Sequence, residues 1–178
     1  MKRLGDLIGR TLEWRQPAAG RRDFELVDGE EVVATLKFRS TWGSHAEFES
    51  ADGAWTFKRV GFWRTHATVR ARNGQTNLAT FTNATWSGGG TLAMADGRRL
   101  HANTNMWGSK YAFRSEDEVA LVHFERIRGA FHLAAQMTIE PAAAAWPELA
   151  WLGGFGWYLA IKMHDDAAGG AAAAAAGA

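Results

Sequence analysis

The six histidines are the side chains of this chain with the broadest chemistry, because neutral imidazole binds metals and titrates near neutral pH. No pair forms a closely spaced zinc signature such as HxH or HExxH, and no two histidines lie closer than nine residues apart. An inward-facing His123, which alternates with Leu121 and Val119, would offer an axial ligand to haem. In the alternative interpretation, in which His123 binds no haem, all six are dispersed strand or surface residues: His45, His66, His101, His123, His132 and His164.

The acidic and glycine-rich clusters favour turns rather than catalysis. Glu116, Asp117 and Glu118 stand where a hairpin turn is predicted, so we interpret them as solvated turn residues. The SGGG stretch at 87–90 lacks the Lys-Ser/Thr pair and the helix that complete a phosphate loop. The chain has no cysteine, which excludes disulfides, thiolate nucleophiles and Cys-ligated zinc. We therefore predict no enzyme activity, no metal site and no cofactor.

Basic side chains give the chain its one candidate binding surface. Residues 23–53 contain eight acids and two bases, whereas residues 54–115 contain nine bases and one acid. Arginine forks grouped on one face suit the phosphate oxygens of a lipid headgroup or a polynucleotide. The candidate anion-binding residues are Lys58, Arg59, Arg64, His66, Arg70, Arg72, Lys110 and Arg114. The alternative, in which these side chains only keep strands soluble and guard sheet edges, stays open.

The elements that would position these side chains are predicted by a tryptophan that recurs at intervals of 21, 23 and 21 residues. After each tryptophan, every second residue belongs to one apolar face, as Ala67 and Val69 do, while His66 and Arg70 face outward. Such a period of two predicts a half-buried antiparallel strand in every unit. The repeated residues are Trp42, Trp63, Trp86 and Trp107.

Turn signals separate the predicted strands. Asp52-Gly53, Asn73-Gly74 and Asp96-Gly97 predict type I′ hairpin turns, in which both central residues have positive φ. The alternation changes phase near Val60-Gly61, which predicts a bulge or a tight corner. With a strand in the first 20 residues the count approaches twelve. We predict a closed antiparallel barrel, because closure removes the edges of so large a sheet, and a β-sandwich is the alternative.

The last apolar segment predicts a helix from about Glu148 to Met163. It has no charged residue between Leu149 and Ile161, and a helix that is apolar on all sides must be surrounded by protein or by lipid. Small residues on the predicted inner faces, Ala46, Ala67 and Gly90, leave room for it, so we place it inside the barrel. The alternative is a tail anchor in a membrane. We predict an N-terminal segment at 1–21, a barrel domain at 22–165 and a disordered Ala/Gly tail at 166–178.

At this point the residues resemble a known family. Short tandem hairpins of apolar strands, a kink and a D/N-G turn, followed by one wholly apolar helix, resemble the tubby C-terminal-like superfamily, and within it the LURP-one-related and phospholipid scramblase branch. The segment FKRVGFWRTHATVRARNG at 57–74 is similar to the repeat of that branch, and LAWLGGFGWYLAIKM at 149–163 to its terminal helix. The resemblance implies a twelve-stranded barrel around a central helix, in a domain that binds phosphoinositides, lies at membranes or has no established activity. The chain lacks the cysteines, the proline-rich N-terminal region and the acidic calcium loop of scramblases.

The expected function is therefore that of a non-enzymatic binding domain. We expect an anionic membrane lipid as its partner, rather than nucleic acid or a small-molecule ligand. A charged N-terminus without a secretory signal predicts a cytoplasmic protein, peripheral to the membrane where lipid binds. Two alternatives are a β-barrel carrier of haem or a hydrophobic ligand and a tail-anchored membrane protein.

Overall fold

Alternation of apolar and polar residues gives this chain twelve strands. The computed structural model describes residues 1–40, 43–60, 66–84, 89–105, 109–128 and 132–176. The strands are β1 (Thr11–Arg15), β2 (Asp23–Asp28), β3 (Glu31–Phe38), β4 (His45–Ser50), β5 (Gly53–Val60), β6 (His66–Ala71), β7 (Ala79–Asn83), β8 (Gly90–Met94), β9 (Arg99–Thr104), β10 (Tyr111–Ser115), β11 (Ala120–Arg128) and β12 (Ala134–Ile139). Short 3-10 helices at Leu4–Leu7 and Pro141–Ala145 precede β1 and follow β12.

The strands form one closed antiparallel barrel, which confirms the predicted fold. Each strand pairs with its neighbours in sequence, and β1 closes the ring by pairing with β12, where Leu12 lies opposite Met137. The N-terminal segment therefore supplies a strand. The barrel begins at Thr11 rather than at residue 22, because without β1 the edges of β2 and β12 would be left open.

The helix α1 (Leu149–Ala176) runs through the barrel, which confirms the predicted central helix. Every residue from Trp151 to Ile161 is buried. Trp157 stacks on Trp14 of β1 with 5.8 Å between the ring centroids, and Phe155 meets Phe57 of β5 edge-on at 5.2 Å. Since β1 and β5 lie on different parts of the wall, the wall surrounds the helix. The tail-anchored alternative, which placed this helix in a membrane, is therefore wrong about where the helix lies.

Glycines set how closely the wall approaches the helix. A Cβ added to Gly154 would overlap the ring of Phe48, and one added to Gly156 would overlap the ring of Phe124. Glycine costs an α-helix roughly 1 kcal/mol relative to alanine. Here that cost is offset by aromatic side chains that pack directly on the helix backbone. Such close packing requires glycine at these two positions.

The Ala/Gly tail is helical where its composition predicted disorder. The helix continues through Ala176, well beyond the barrel domain boundary predicted at residue 165. Alanine has the highest helix propensity, and an existing helix adds residues without the cost of a new nucleus. Gly169 and Gly170 have no neighbouring atoms within 4 Å of an added Cβ, so this extension is not packed at those positions.

The hairpin turns lie where they were predicted, but their type differs. Among the described residues Glu118 is the one non-glycine with positive φ, so neither Asp52 nor Asp96 adopts the conformation that a type I′ turn requires. Instead Met94 and Arg98 pair around a three-residue loop that ends in Gly97 at φ 95°. The third turn is a longer connection at 72–78 between β6 and β7.

The four repeated tryptophans lie outside the described residues, as do Gly61 and Phe62, where the phase change was predicted. The strands of the repeat begin three or four residues after each tryptophan, at His45, His66, Gly90 and Tyr111. Within these strands the predicted inner face is confirmed by the buried side chains Ala46, Phe48, Ala67, Val69, Leu92 and Phe113.

Two glycine-to-alanine substitutions in the same helix test the packing account. We expect Gly154→Ala to lower the free energy of unfolding by about 1–2 kcal/mol, because overpacking against Phe48 outweighs the gain in helix propensity. Gly169→Ala makes the same chemical change where the added methyl group meets nothing, so stability should stay unchanged or rise by up to about 1 kcal/mol. Urea unfolding of both variants measures the difference. Equal effects would contradict close packing at Gly154.

Candidate functional site

Ion pairs flank the apolar run of α1 at opposite ends of the barrel. At the start of the helix, Arg98 donates to Glu148 at 2.6 and 3.2 Å, and its guanidinium lies 4.9 Å above the Trp146 ring. Beyond Ile161 the helix becomes polar as it leaves the barrel. We call this end of the barrel the mouth.

At the mouth, two carboxylates of the helix bind arginines of the wall. Asp165 accepts both hydrogen bonds of a bidentate pair from Arg22, at 2.7 and 3.2 Å, and a third from Lys162 at 2.9 Å. Asp166 pairs with Arg59, whose Nη1 lies 2.7 and 2.8 Å from its two carboxylate oxygens. The apolar helix is thus fixed in register by charged groups placed just outside the apolar interior.

The environment of Asp165 favours its ionised form. Burial alone would raise the pKa of this carboxyl, but the hydrogen bonds from Arg22 and Lys162 outweigh burial, and the pKa lies below its ordinary value of 3.8. All three side chains are largely buried, with exposures of 27%, 17% and 14% for Asp165, Arg22 and Lys162. A neutral residue at 165 would leave two buried cations without this partner.

A cleft of about 90 Å³ opens beside the helix at the mouth, and we call it the mouth cleft. Its apolar wall comes from β6, β7 and the helix, through Ala67, Phe81, Leu159 and Met163. Its polar side chains come from the strand ends and the first polar turn of the helix. They include Arg59, His66, Asn83, Tyr111, Lys162 and Asp166.

The Tyr111 hydroxyl has no hydrogen-bond partner among the described residues, although the residue is only 2% exposed. Burial raises its pKa, so the hydroxyl keeps its proton and is available as a donor. The neighbouring Tyr158, which also lines the cleft, donates its hydroxyl to the Ser44 carbonyl at 2.6 Å. Of the two tyrosine hydroxyls beside the cleft, only that of Tyr111 therefore lacks a partner among the described residues.

The structure separates the eight predicted anion-binding residues. Arg59 faces inward, because it alternates with the buried Trp55 and Phe57 on β5, so its prediction as part of an outer face is wrong. His66, at the start of β6, also lines the mouth cleft. Lys58 is exposed on the outer surface of β5, and Arg64 lies outside the described residues.

The other predicted residues are distributed around the barrel and already have partners. Arg70 donates to Asn77, and Arg72 pairs with Glu49 of β4 at 2.7 Å. Lys110 pairs with Glu125, and Arg114 donates to the Glu118 carbonyl. β10 lies four strands from β6, or about 19 Å along the wall at ~4.8 Å per strand, so Lys110 and Arg114 do not join β6 in one patch.

The structure rules out an inward-facing His123. A register shift between β10 and β11 places Val122 opposite Phe113 and Ala120 opposite Arg114, so the alternation that began at Val119 does not continue. His123 faces outward, and its Nδ1 lies 3.0 Å from a carboxylate oxygen of Glu140. In the described part of the chain no three His, Asp or Glu residues lie close enough to hold a metal ion.

Charge is divided between the two ends of the barrel. The connections at the mouth (16–22, 39–44, 61–65, 84–89, 105–110 and 129–133) contain five Arg or Lys and no Asp or Glu in their sequence. The segments at the opposite end (1–10, 29–30, 51–52, 72–78, 95–98, 116–119 and 140–148) contain nine acids and five bases. Asp165 and Asp166 of the helix supply carboxylates at the mouth, and both are paired.

Sequence reasoning missed the helix residues of this site. Lys162, Asp165 and Asp166 follow the apolar run directly, and a change from apolar to charged residues within a central helix marks the point where it leaves the barrel. Tyr111 was placed on the inner face with the rest of its strand, but no pattern in the sequence shows whether a buried hydroxyl has a partner.

Substitution of Asp165 tests the ion-pair cluster at the mouth. We expect Asp165→Asn to lower the free energy of unfolding near pH 7 by about 1–3 kcal/mol, because Arg22 and Lys162 lose a charged acceptor. Since the folded pKa is depressed, the stabilisation is present above pH ~3.8 and is lost as the pH falls through the lower folded value. Unfolding curves should therefore converge for parent and variant in acid.

The matched control is Asp117→Asn, which removes a carboxylate from the exposed turn between β10 and β11. It should change stability by no more than about 0.5 kcal/mol at any pH. A difference between parent and Asp165→Asn that persists unchanged into strong acid would contradict the electrostatic account.

No helix in the described ranges combines the length and apolar character that crossing a bilayer requires. In comparisons with known proteins, no family model, no curated protein and no solved structure matches this chain.

Proposed function

We propose that this protein is a non-enzymatic, tubby-like binding domain that docks on anionic phospholipid with the mouth of its barrel. The observation that carries the proposal is the division of charge between the two ends: the mouth connections have no acidic residue in their sequence, and the opposite end has nine. A negative bilayer surface attracts the former and repels the latter, so the charge pattern favours one orientation.

The fold supports this proposal. A closed barrel around a central helix is what the resemblance to tubby-like domains implies, and it gives a rigid body with one basic end. Two cations at that end are largely exposed: Arg21 is 75% exposed and Lys110 is 62% exposed. Their nearest acidic partners, Asp23 and Glu125, lie on the strands and not on the connections. We place the protein in the cytoplasm, peripheral to the membrane.

A carrier of haem or a fatty ligand has less support. The helix occupies the barrel interior, where Trp157, Phe155 and Leu152 are fully buried against the wall. The mouth cleft of about 90 Å³ is small beside the ~300–1,000 Å³ typical of sites for larger ligands. His123, the residue that would have ligated haem, faces outward.

Vesicle flotation of two double variants tests the proposed orientation. We expect the parent to float with vesicles containing phosphatidylglycerol at low salt, to stay behind with neutral phosphatidylcholine, and to dissociate as salt rises. The Arg21→Glu/Lys110→Glu variant should bind at least thirtyfold more weakly, at about 1 kcal/mol for each basic residue removed.

The control is Lys2→Glu/Arg3→Glu, which makes the same change in net charge at the opposite end of the barrel. It should bind as the parent does. Equal losses in both variants would show that net charge alone controls binding, and no flotation of the parent at low salt would contradict the proposal. Thermal unfolding of each variant confirms that the barrel is intact.

A further inference from the structure

The mouth cleft is lined by charged donors that have partners and by one buried hydroxyl that has none among the described residues. Arg59 donates to Asp166 and Lys162 donates to Asp165, whereas Tyr111 also lines the cleft and its hydroxyl donates to no described residue. A buried polar group without a partner is unfavourable and is found at few positions in folded proteins. Because the Tyr111 hydroxyl is buried, protonated and without a partner among the described residues, it points to a missing acceptor.

The size and lining of the cleft restrict what that acceptor is. Its volume of about 90 Å³ is that of roughly three water molecules. Ala67, Phe81, Leu159 and Met163 line part of it with apolar groups, which stabilise a short hydrocarbon chain and satisfy no oxygen. An inorganic phosphate would bring four oxygens to this partly apolar cleft, whereas a carboxylate brings two oxygens and an apolar remainder.

We propose that the mouth cleft binds a small aliphatic carboxylate, whose oxygens accept the hydrogen bond that Tyr111 lacks and interact with Arg59 and Lys162. The hydrocarbon part of the acid packs on Phe81, Leu159 and Met163. Asp166 opposes binding, because its carboxylate carries the same charge and already pairs with Arg59.

This site differs from what the sequence predicted, and it does not depend on membrane docking. We predicted no small-molecule ligand because the helix was expected to fill the barrel interior, and the helix does fill it. The cleft forms instead at the mouth, where the helix changes from Leu159 to the polar Lys162 and the side chains no longer pack uniformly against the wall. A soluble acid reaches it without vesicles, so the two proposals are tested separately.

Tyrosine labelling gives a direct readout, because the chain has two tyrosines and both line the cleft. In protein labelled with [13Cζ]tyrosine, Tyr111→Phe assigns the two signals. We expect sodium butyrate to shift the Tyr111 signal saturably, while sodium chloride at equal ionic strength does not. Inorganic phosphate and phosphatidylglycerol vesicles are the comparison ligands, and both should shift it less than butyrate.

Three variants test the roles of the side chains. Tyr111→Phe should weaken butyrate binding on the order of tenfold, observed at the Tyr158 signal, because it removes one hydrogen bond to a charged group. Asp166→Asn should strengthen binding roughly threefold or more, since a like charge is removed. Asp117→Asn removes the same charge from the exposed turn at the opposite end and should leave affinity unchanged.

The proposal is overturned by any of three results: no saturable shift with butyrate, unchanged affinity in Tyr111→Phe with a native near-UV circular dichroism spectrum, or a shift produced by phosphate or vesicles alone. A phosphate or vesicle response alone would assign the cleft to a phosphate group instead. Gain of affinity in Asp166→Asn supports the proposal even if Tyr111→Phe fails to fold.

Discussion

The structure depends on one constraint, which is that a helix without a polar side must be surrounded on all sides. From Trp151 to Ile161 the helix α1 has no residue to present to water, so its burial requires a wall all around it. A closed barrel provides that wall, and the wall requires the helix in return. Twelve strands enclose more space than their own inner side chains fill, and an empty interior of that size would lose the contacts that stabilise it.

Charged groups flank the apolar run of α1 for the same reason. Inside the barrel an unpaired charge would be severely destabilising, so the nearest charged residues flank the apolar run, at Glu148 just before α1 and at Lys162 within it. Each end meets cations of the wall that reach it from strand ends or turns, such as Arg98 and Arg22. The mouth cleft is a consequence of this change from apolar to polar packing, and it combines apolar walls with charged groups.

The fold was predictable from sequence because it depends on two strong signals, a periodic one for the strands and an uninterrupted apolar run for the helix. A period of two gave the strands, and thirteen uncharged residues from Leu149 to Ile161 gave the central helix. The turn type was not predictable, since Asp-Gly also fits the three-residue loop that ends in Gly97. Bulges shift the phase of a strand locally, which is why His123 faces outward although its spacing from Val119 is even.

The candidate site was less predictable, because a barrel of sequential hairpins places alternate connections at opposite ends. A charge total over consecutive residues therefore mixes the two ends. That total showed an acidic segment at 23–53 and a basic segment at 54–115. In the structure these segments are neighbours on the wall, where Arg72 pairs with Glu49 across the strands.

The difference in charge between the ends emerges only when alternate connections are grouped by end. The turns at 51–52, 95–98 and 116–119 contain acidic residues, whereas the connections at 39–44, 61–65 and 105–110 each contain one base and no acid. Solubility alone would require charge at both ends but no difference in sign. The sequences of the six segments that join strands at the mouth contain no Asp or Glu, which favours a partner that would repel carboxylates, and this is why the proposal concerns the mouth rather than the outer wall.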